Sequence, residues 1–225
     1  LNHILVIRLS SMGDVAISIP VLFAFTRSYP EIKITILTKK QFTPLFRDIT
    51  TARIISADFD KKHKGFFGLY ELSRQIRKLN VDAVVDLHNV LRTNILKHFF
   101  SGYDFVQINK GRKEKKELIL GESFRQLKTT HERYAEVFEK LGFPVNLSNP
   151  VFPAQTVLSS KIQSLIGQKS KKMIGIAPFA AHEGKMYPLP LMKQVVGALS
   201  KDYQILLFGG GNKEVEALSK MAESF

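Results

Sequence analysis

The sequence predicts an α/β protein made of two Rossmann-like, doubly wound domains. An apolar run near the N-terminus ends in a polar turn, strand and helix patterns then alternate along the chain, and the alternation begins again after a loop rich in proline and asparagine. Helices that alternate with strands cover both faces of a parallel sheet. We place the domains at residues 1–150 and 151–225, and we expect the second domain to be incomplete in this chain.

The first strand and the turn after it organise the first domain. The apolar run of residues 4–9 is typical of a strand buried on both faces of a sheet. A polar turn over residues 10–13 follows, and a helical pattern runs from Asp14 to Tyr29, with Pro20 expected to kink the helix or to start its second segment. Because α/β proteins bind ligands beyond the carboxyl ends of their strands, we expect the functional site at this turn.

The remaining elements follow from the same patterns. In the first domain we predict strands at 33–38, 53–56, 82–87 and 105–108, the last at an edge of the sheet, and helices at 69–79 and 131–141. A linker rich in proline and asparagine covers residues 144–153. In the second domain we predict strands at 173–177 and 204–208, each followed by a helix.

The composition restricts the class of protein. Apolar residues make up 44% of the 225 residues and charged residues 24%, as in ordinary globular domains. Cysteine is absent, which excludes disulfides and cysteine-based metal sites. The spacing of the histidines and carboxylates predicts no metal site either. We find no apolar run long enough to span a membrane and no signal peptide pattern, and we therefore expect a cytoplasmic protein.

The formal charge of +13 indicates an anionic partner, which is a nucleic acid, an anionic membrane surface or a phosphorylated substrate. The basic residues are concentrated in two runs. Lys61, Lys62 and Lys64 precede two phenylalanines, and residues 110–116, with Lys113 among them, form the second run. Such runs are most often solvated loops. Two of them in one domain, the first beside aromatic residues, also suit an anionic acceptor or an anionic lipid surface.

Asp14 has two interpretations. The carboxylate suits the N-terminus of a helix, where it caps backbone N–H groups. It also suits a general base that takes a proton from a hydroxyl group. Ser10, Ser11 and Gly13 complete the turn, with hydroxyl groups for orienting a ligand and a glycine that permits close approach. The three spaced glycines of a dinucleotide-binding loop and the Gly-Lys-Ser/Thr of a Walker loop are both missing, which disfavours dehydrogenases and nucleotide triphosphatases.

Several motifs together resemble a known family. They are the Ser-Ser-x-Gly-Asp turn at residues 10–14 with Pro20 and Leu22 after it, Asp86-Leu-His, His131-Glu-Arg-Tyr, and Ile174-Gly-Ile-Ala-Pro with Lys185 and Pro188. In this combination the sequence resembles glycosyltransferase family 9, which includes the ADP-heptose:lipopolysaccharide heptosyltransferases of bacteria. The resemblance implies the GT-B fold and an inverting glycosyl transfer without a metal or another cofactor.

The resemblance also implies residue roles. Asp14 would deprotonate the acceptor hydroxyl, and Lys185 would neutralise the diphosphate of an ADP-linked sugar donor. Ser10, Ser11 and Gly13 would also contact this donor. The glycine turn with Gly209 and Gly210 would hold the donor nucleotide, and Glu214 would reach its ribose. On spacing alone that glycine turn is an ordinary connection between a strand and a helix.

The acceptor would be an anionic, lipid-linked glycan such as the lipopolysaccharide core, met at the inner face of the inner membrane. We expect its site among the basic runs together with three further residues, His88, Arg92 and His131. His88 could equally be a buried histidine with satisfied hydrogen bonds, and His131 and Arg133 could lie on the surface. The alternatives to an enzyme are a non-catalytic nucleotide-sugar binder and a nucleic-acid-binding protein. The second lacks a recognisable binding motif, so we expect no nucleic acid as partner.

Overall fold

A computed structural model describes residues 1–150, 155–167, 171–180 and 182–225. The chain separates into two compact units, Leu1–Ala154 and Gln155–Phe225. Pro153, at the end of the predicted linker, and the first residues after the predicted domain boundary at residue 150 lie outside the described residues. The functions that the sequence assigns to the two domains stay predictions.

The first unit is built on a parallel sheet. Its described residues form five strands in the order β3-β2-β1-β4-β5. The strands are β1 (His3–Ile7), β2 (Lys33–Lys39), β3 (Ala52–Ala57), β4 (Ala83–Asp86) and β5 (Asp104–Gln107). The apolar first strand therefore lies at the centre of the sheet, and β5 lies at an edge, as the sequence predicts.

Helices cover this sheet. They are α1 (Met12–Ser28), α2 (Gly65–Arg77), α3 (Leu91–Phe99), α4 (Arg112–Ile119) and α5 (Thr130–Glu139), and a 3₁₀ segment at Lys40–Phe46 follows β2. Successive residues of β1 belong to different core clusters, with Ile4 and Val6 beside α1 and α5 and with Leu5 and Ile7 beside α2 and α3. Burial on both faces explains the continuous apolar run of this strand.

The first helix differs from its prediction. Helix α1 is continuous from Met12 to Ser28, so Pro20 does not begin a second segment. Ser18 does not cap a segment, because its hydroxyl donates to the carbonyl oxygen of Val15 within the same helix, at 2.6 Å. The helix stays in one piece because Val15 before the proline and Phe25 after it are buried in the same core cluster, which outweighs the lost backbone hydrogen bond.

The second basic run also differs from its prediction as a solvated loop. Residues 112–119 form helix α4, which contains no buried residue. The helix begins after Gly111, whose φ of 62° lies in the left-handed region that glycine tolerates best. The basic side chains therefore lie on a regular helix rather than on an irregular loop.

The described part of the second unit begins another α/β pattern. Strands β6 (Met173–Ile176) and β7 (Gln204–Leu207) pair in parallel, and the helices are α6 (Ser160–Ile166), α7 (Leu189–Leu199) and α8 (Asn212–Ala222). The patterns of the sequence predict both strands and the last two helices, but not α6. Within the described residues of both units, no helix has the length and apolar character that crossing a membrane requires.

Candidate active site

Asp14 lies in the first turn of α1, directly beyond the carboxyl end of the central strand. Its Oδ2 atom accepts a hydrogen bond from the Ser11 hydroxyl at 2.9 Å and a longer one from the Ser11 backbone N–H at 3.4 Å. The carboxylate thus accepts hydrogen bonds from Ser11, the N-cap residue of the helix, and this agrees with the capping interpretation. Among the described residues, the Oδ1 atom accepts no hydrogen bond, and 41% of the side chain is exposed.

A buried arginine holds the same carboxylate. Arg8 follows β1, its side chain is 7% exposed, and its Nη2 atom lies 2.6 Å from Oδ2 of Asp14. Its Nη1 atom donates to the Leu87 carbonyl oxygen at 2.5 Å, and its guanidinium lies 5.7 Å from the ring centre of Tyr134. Sequence reasoning missed Arg8, although a cation inside an otherwise apolar strand run was a signal that could have found it.

Tyr134 braces this turn from the side of α5. It is fully buried, and its hydroxyl donates to the backbone carbonyl oxygen of Asp14 at 3.3 Å. Burial raises the pKa of Tyr134 to about 12, despite the nearby Arg8 cation, so the phenol stays protonated and keeps donating. The backbone of Asp14 is therefore anchored independently of its carboxylate.

The surroundings of Asp14 keep it ionised. Partial burial pushes the pKa of Asp14 upward, but the hydrogen bond from Ser11 and the Arg8 cation outweigh it and hold the pKa below its ordinary value of 3.8. At neutral pH the side chain is an anion with one oxygen committed to protein donors. The other oxygen can accept a proton from a hydroxyl group that is placed against this turn.

His88 belongs to the same turn through Ser10. Parallel pairing places Asp86, at the end of β4, beside Ile7 of β1. The buried Asp86 carboxylate accepts from the backbone N–H groups of His88 at 2.9 Å and Asn89 at 3.0 Å, which fixes the loop. The Nε2 atom of His88 then lies 3.3 Å from the Ser10 hydroxyl.

His88 is uncharged at neutral pH. Burial, followed by the Arg8 cation, lowers its pKa to about 4. In the described part of the chain its Nδ1 atom is buried and has no hydrogen-bond partner. A neutral ring beside Arg8 adds polar groups to the site without adding another positive charge. His88 is therefore neither a surface residue nor a fully satisfied core histidine.

Cations border this site on the side of β5. Lys110 precedes α4, and its pKa is lowered by burial and by the nearby cations Arg112 and Arg8, with Asp86 and Asp14 acting in the opposite sense. These influences place Lys110 in the electrostatic surroundings of Asp14. An anionic group brought to the turn would be attracted by the Lys110 cation.

Other predicted acceptor residues lie apart from Asp14. Lys61, Lys62 and Lys64 are exposed on the loop after β3, which is two positions from β1 in the sheet. This loop is held by the buried His63, whose Nδ1 atom accepts from the backbone N–H of Asp58 at 3.0 Å. The structure therefore fixes the loop, but it does not bring these lysines into contact with the turn.

Arg92, Lys113 and His131 also lie away from the Asp14 carboxylate. The exposed Arg92 guanidinium lies over the Phe59 ring, 5.1 Å from its centre, and Lys113 is on the exposed side of α4 with Glu117 at 3.9 Å. His131 lines a separate cavity of about 370 Å³ that also contacts Pro20. None of these three side chains forms a hydrogen bond or ion pair with Asp14 in the described residues.

Arg133 has a structural position instead of a place on the surface. It is buried, and its Nη2 atom donates to the Glu114 carboxylate at 2.6 Å. It also donates to the carbonyl oxygens of Lys128 at 3.2 Å and Asn109 at 3.3 Å. Arg133 therefore connects α5 with the start of α4, and the expectation that it lies on the surface is wrong.

The predicted donor residues of the second unit lie in two segments, each of which follows a strand. Lys185 ends a short 3₁₀ segment, Glu183–Lys185, and its side chain is exposed. Gly209 and Gly210 follow β7, and Oε2 of Glu214 accepts from the backbone N–H of Gly210 at 2.8 Å. The acidic residue and the glycine turn thus bond to each other. Their role toward a donor stays a prediction.

Comparison with known proteins identifies the family. Residues 69–225, more than half of the chain, match the model of glycosyltransferase family 9 (heptosyltransferase). The chain belongs to glycosyltransferase family 9. It is therefore a glycosyltransferase, as the sequence predicts. A search of curated proteins by sequence finds no match.

Solved structures of glycosyltransferases share the fold. A family 9 glycosyl transferase from Veillonella parvula has a TM-score of 0.74 at 19% identity, and the similarity covers 100% of this chain and 67% of that chain. E. coli heptosyltransferase WaaC with ADP-2-deoxy-2-fluoro heptose has a TM-score of 0.66 at 20% identity, covering 99% and 74%. E. coli ADP-heptose lps heptosyltransferase II has a TM-score of 0.68 at 20% identity, covering 99% and 69%. The predicted GT-B fold class is confirmed.

Proposed function

We propose that this family 9 protein is an inverting heptosyltransferase that moves heptose from ADP-heptose to an anionic, lipid-linked glycan such as the lipopolysaccharide core. The observation that carries this proposal is the carboxylate of Asp14, ionised and partly exposed at the end of the central strand. Two of the solved structures similar in fold are named for ADP-heptose or its analogue, which supports this donor.

Asp14 is the general base of the proposed reaction. Its Oδ1 atom takes the proton from the acceptor hydroxyl while that oxygen attacks the anomeric carbon of the donor sugar. The bond between this carbon and the diphosphate breaks, and ADP leaves with the electron pair. Attack on the side opposite to the leaving group inverts the configuration, so no covalent intermediate on the protein is required.

Arg8 and Ser11 orient the base by holding Oδ2. The leaving diphosphate needs positive charge, which we assign to Lys185, with the glycine turn after β7 holding the nucleotide. Ser10, Ser11 and Gly13 contribute polar contacts at the turn. We infer no metal or other cofactor, because we assign the positive charge that the leaving diphosphate needs to Lys185.

The acceptor approaches through the cationic surroundings of the turn. Lys110 and Arg112 attract its phosphate or carboxylate groups toward Asp14, and His88 presents a neutral ring beside Ser10. The more distant predicted acceptor residues, Lys61, Lys62, Lys64, Arg92, Lys113 and His131, would contact the outer parts of a large glycan. Because the acceptor is lipid-linked, we place the reaction at the inner face of the inner membrane.

A non-catalytic nucleotide-sugar binder is the second candidate, and the ion pair between Arg8 and Asp14 is the observation that favours it. A carboxylate that is buried in a salt bridge serves structure better than catalysis. Here only the cation is buried, and the carboxylate keeps a free and exposed oxygen. We therefore place catalysis first.

The test is Asp14→Asn, assayed for heptose transfer from ADP-heptose to a lipopolysaccharide core fragment. We expect kcat to fall by about 10²–10⁴-fold with binding of ADP retained, because the amide cannot take the proton. Asp104→Asn, at the exposed start of β5, is the matched control and should keep full activity. Near-normal turnover of Asp14→Asn would contradict the general-base assignment, and absence of transfer by the unaltered protein would favour the non-catalytic binder.

A further inference from the structure

Helix α4 presents an unpartnered face whose orientation is fixed by the rest of the first unit. Glu114 points inward to the buried Arg133, with 2.6 Å between Oε2 and Nη2. Gly111 lies directly against the same guanidinium, because a Cβ atom added to this glycine would come within 2.3 Å of it. The side of α4 that faces away from Glu114 is therefore held toward solvent.

That outward face is strongly basic. Arg112, Lys113, Lys115 and Lys116 are all exposed, whereas Glu114 and Glu117 are half-buried. Lys113 has Glu117 at 3.9 Å, but Lys115 and Lys116 form no ion pair with any described residue. The helix has thus segregated its charges, with cations outside and carboxylates inside.

Large exposed apolar side chains stand at the end of α4 and shortly after it. Ile119 is 83% exposed, Leu120 is 58% exposed, and Phe124 is 100% exposed. Soluble surfaces carry single exposed apolar residues routinely, but three large ones beside a basic helix are typical of a segment that lies in the interface of a bilayer. There the cations meet lipid phosphates and the apolar side chains enter the acyl region.

We propose that α4 and the residues up to Phe124 form a docking surface for an anionic phospholipid bilayer. Lys115 and Lys116 would lie at the headgroup level, while Ile119, Leu120 and Phe124 would enter the membrane. The charge complementarity between this face and anionic lipid supports a bilayer over an apolar protein groove. This docking surface extends the proposed function. It rests on that function in one respect, because a lipid-linked acceptor is the reason for the protein to bind a membrane.

The experiment is sedimentation of the full chain with vesicles, compared between phosphatidylcholine alone and a mixture with about one third phosphatidylglycerol. We expect binding to the anionic vesicles that weakens with added salt. Since each cation near an anionic surface contributes about a five-fold gain in binding, Lys115→Gln with Lys116→Gln should weaken it by about 25-fold. Replacing Ile119, Leu120 and Phe124 by Ser should weaken it by roughly ten-fold or more.

Matched controls separate this surface from the general positive charge of the protein. Lys33→Gln with Lys78→Gln removes two exposed cations, one at the start of β2 and one at the end of α2, and Val157→Ser removes an exposed apolar side chain of the second unit. Both controls should bind as the unaltered protein does. Equal losses in a control and in the matching α4 variant, or no binding to anionic vesicles, would overturn the proposal.

Failure of the docking surface and failure of the proposed function give different results. Asp14→Asn should bind vesicles normally, since its carboxylate is not part of α4. The triple Ser variant should transfer heptose to a lipid-free acceptor fragment at the normal rate. Vesicle binding without any heptose transfer would contradict only the proposed function. Heptose transfer without vesicle binding would contradict only the docking surface.

Discussion

Arg8 and Asp14 form an ion pair in which the cation is buried and the anion is accessible. The 2.6 Å contact joins Nη2 to Oδ2, the atom that also accepts the Ser11 hydroxyl hydrogen bond. Within the described ranges, every donor to this carboxylate therefore converges on one of its oxygens. The arrangement fixes the plane of the carboxylate and leaves Oδ1 open, which is the geometry that a positioned base requires.

The first prediction concerns the arginine itself. In Arg8→Met the pKa of Asp14 should rise, because the neighbouring cation that lowers it is removed. The acidic limb of the kcat/KM profile should move to higher pH, and the carboxyl carbon of Asp14 should titrate at higher pH by NMR. The fold should also lose about 1–3 kcal/mol, since the Leu87 carbonyl oxygen loses its donor.

Arg27→Met is the matched control, because Arg27 is an exposed cation in the last turn of the same helix. It should change neither the titration of Asp14 nor the pH profile. If Arg8→Met left the titration of Asp14 where it is in the unaltered protein, the pairing would have no influence on the base.

The second prediction concerns His88 and pH. Its pKa in the folded protein is about 4, below the ordinary 6.5, so the unfolded chain binds the additional proton between these values. The contribution of His88 to the free energy of unfolding should therefore be complete above pH 6.5. It should decrease as the pH falls toward 4, by at most about 1.4 kcal/mol per pH unit. His88→Gln should flatten this part of the curve, as measured by denaturant unfolding at several pH values.

His63 provides the comparison for that experiment. Burial and the Lys62 cation also lower the pKa of His63, against smaller influences that raise it, so His63→Gln should remove a separate part of the same pH dependence. An unchanged curve in His88→Gln would mean that the imidazole of His88 is protonated as readily in the folded protein as in the unfolded chain.

The third prediction concerns Lys185. In Lys185→Ala, ADP should bind about ten-fold more weakly or worse, whereas adenosine should bind as before, because the lost contact is a charge on phosphate. Calorimetric titration with both ligands measures the two affinities. Lys193→Ala, an exposed lysine on α7, is the control. Equal losses for ADP and adenosine would assign Lys185 to structure.

The fourth prediction concerns the glycine before α4. Gly111→Ala should cost about 2–4 kcal/mol, because φ is +62° and because the new Cβ atom would collide with the buried Arg133 guanidinium. Gly121→Ala has a φ of +74° and open space around it, so it should cost only about 1 kcal/mol. Thermal unfolding of both variants separates the collision from the backbone strain. Equal losses of stability would show that the Arg133 side chain moves aside at no cost.

The apolar pattern of the sequence already determined the central strand, the turn after it and the alternation of strands with helices. A run with no polar residue from Ile4 to Ile7 can be stable only where both faces of a strand are covered. The motif around Asp14 likewise indicated where the site lies, because ligands collect at the carboxyl ends of parallel strands. Local patterns suffice for such features because they are set by burial over a few neighbouring residues.

Only the tertiary structure decided which partners complete the site. Leu87 holds Arg8 from 79 positions along the chain, and Tyr134 holds the backbone of Asp14 from 120 positions away. Packing of α1 also outweighed the break expected at Pro20, and the contact between Arg133 and Glu114 oriented a helix where the charge run indicated a loop. These outcomes depend on contacts between segments that are distant in the sequence. The energies of such contacts cannot be predicted from a local pattern of residues.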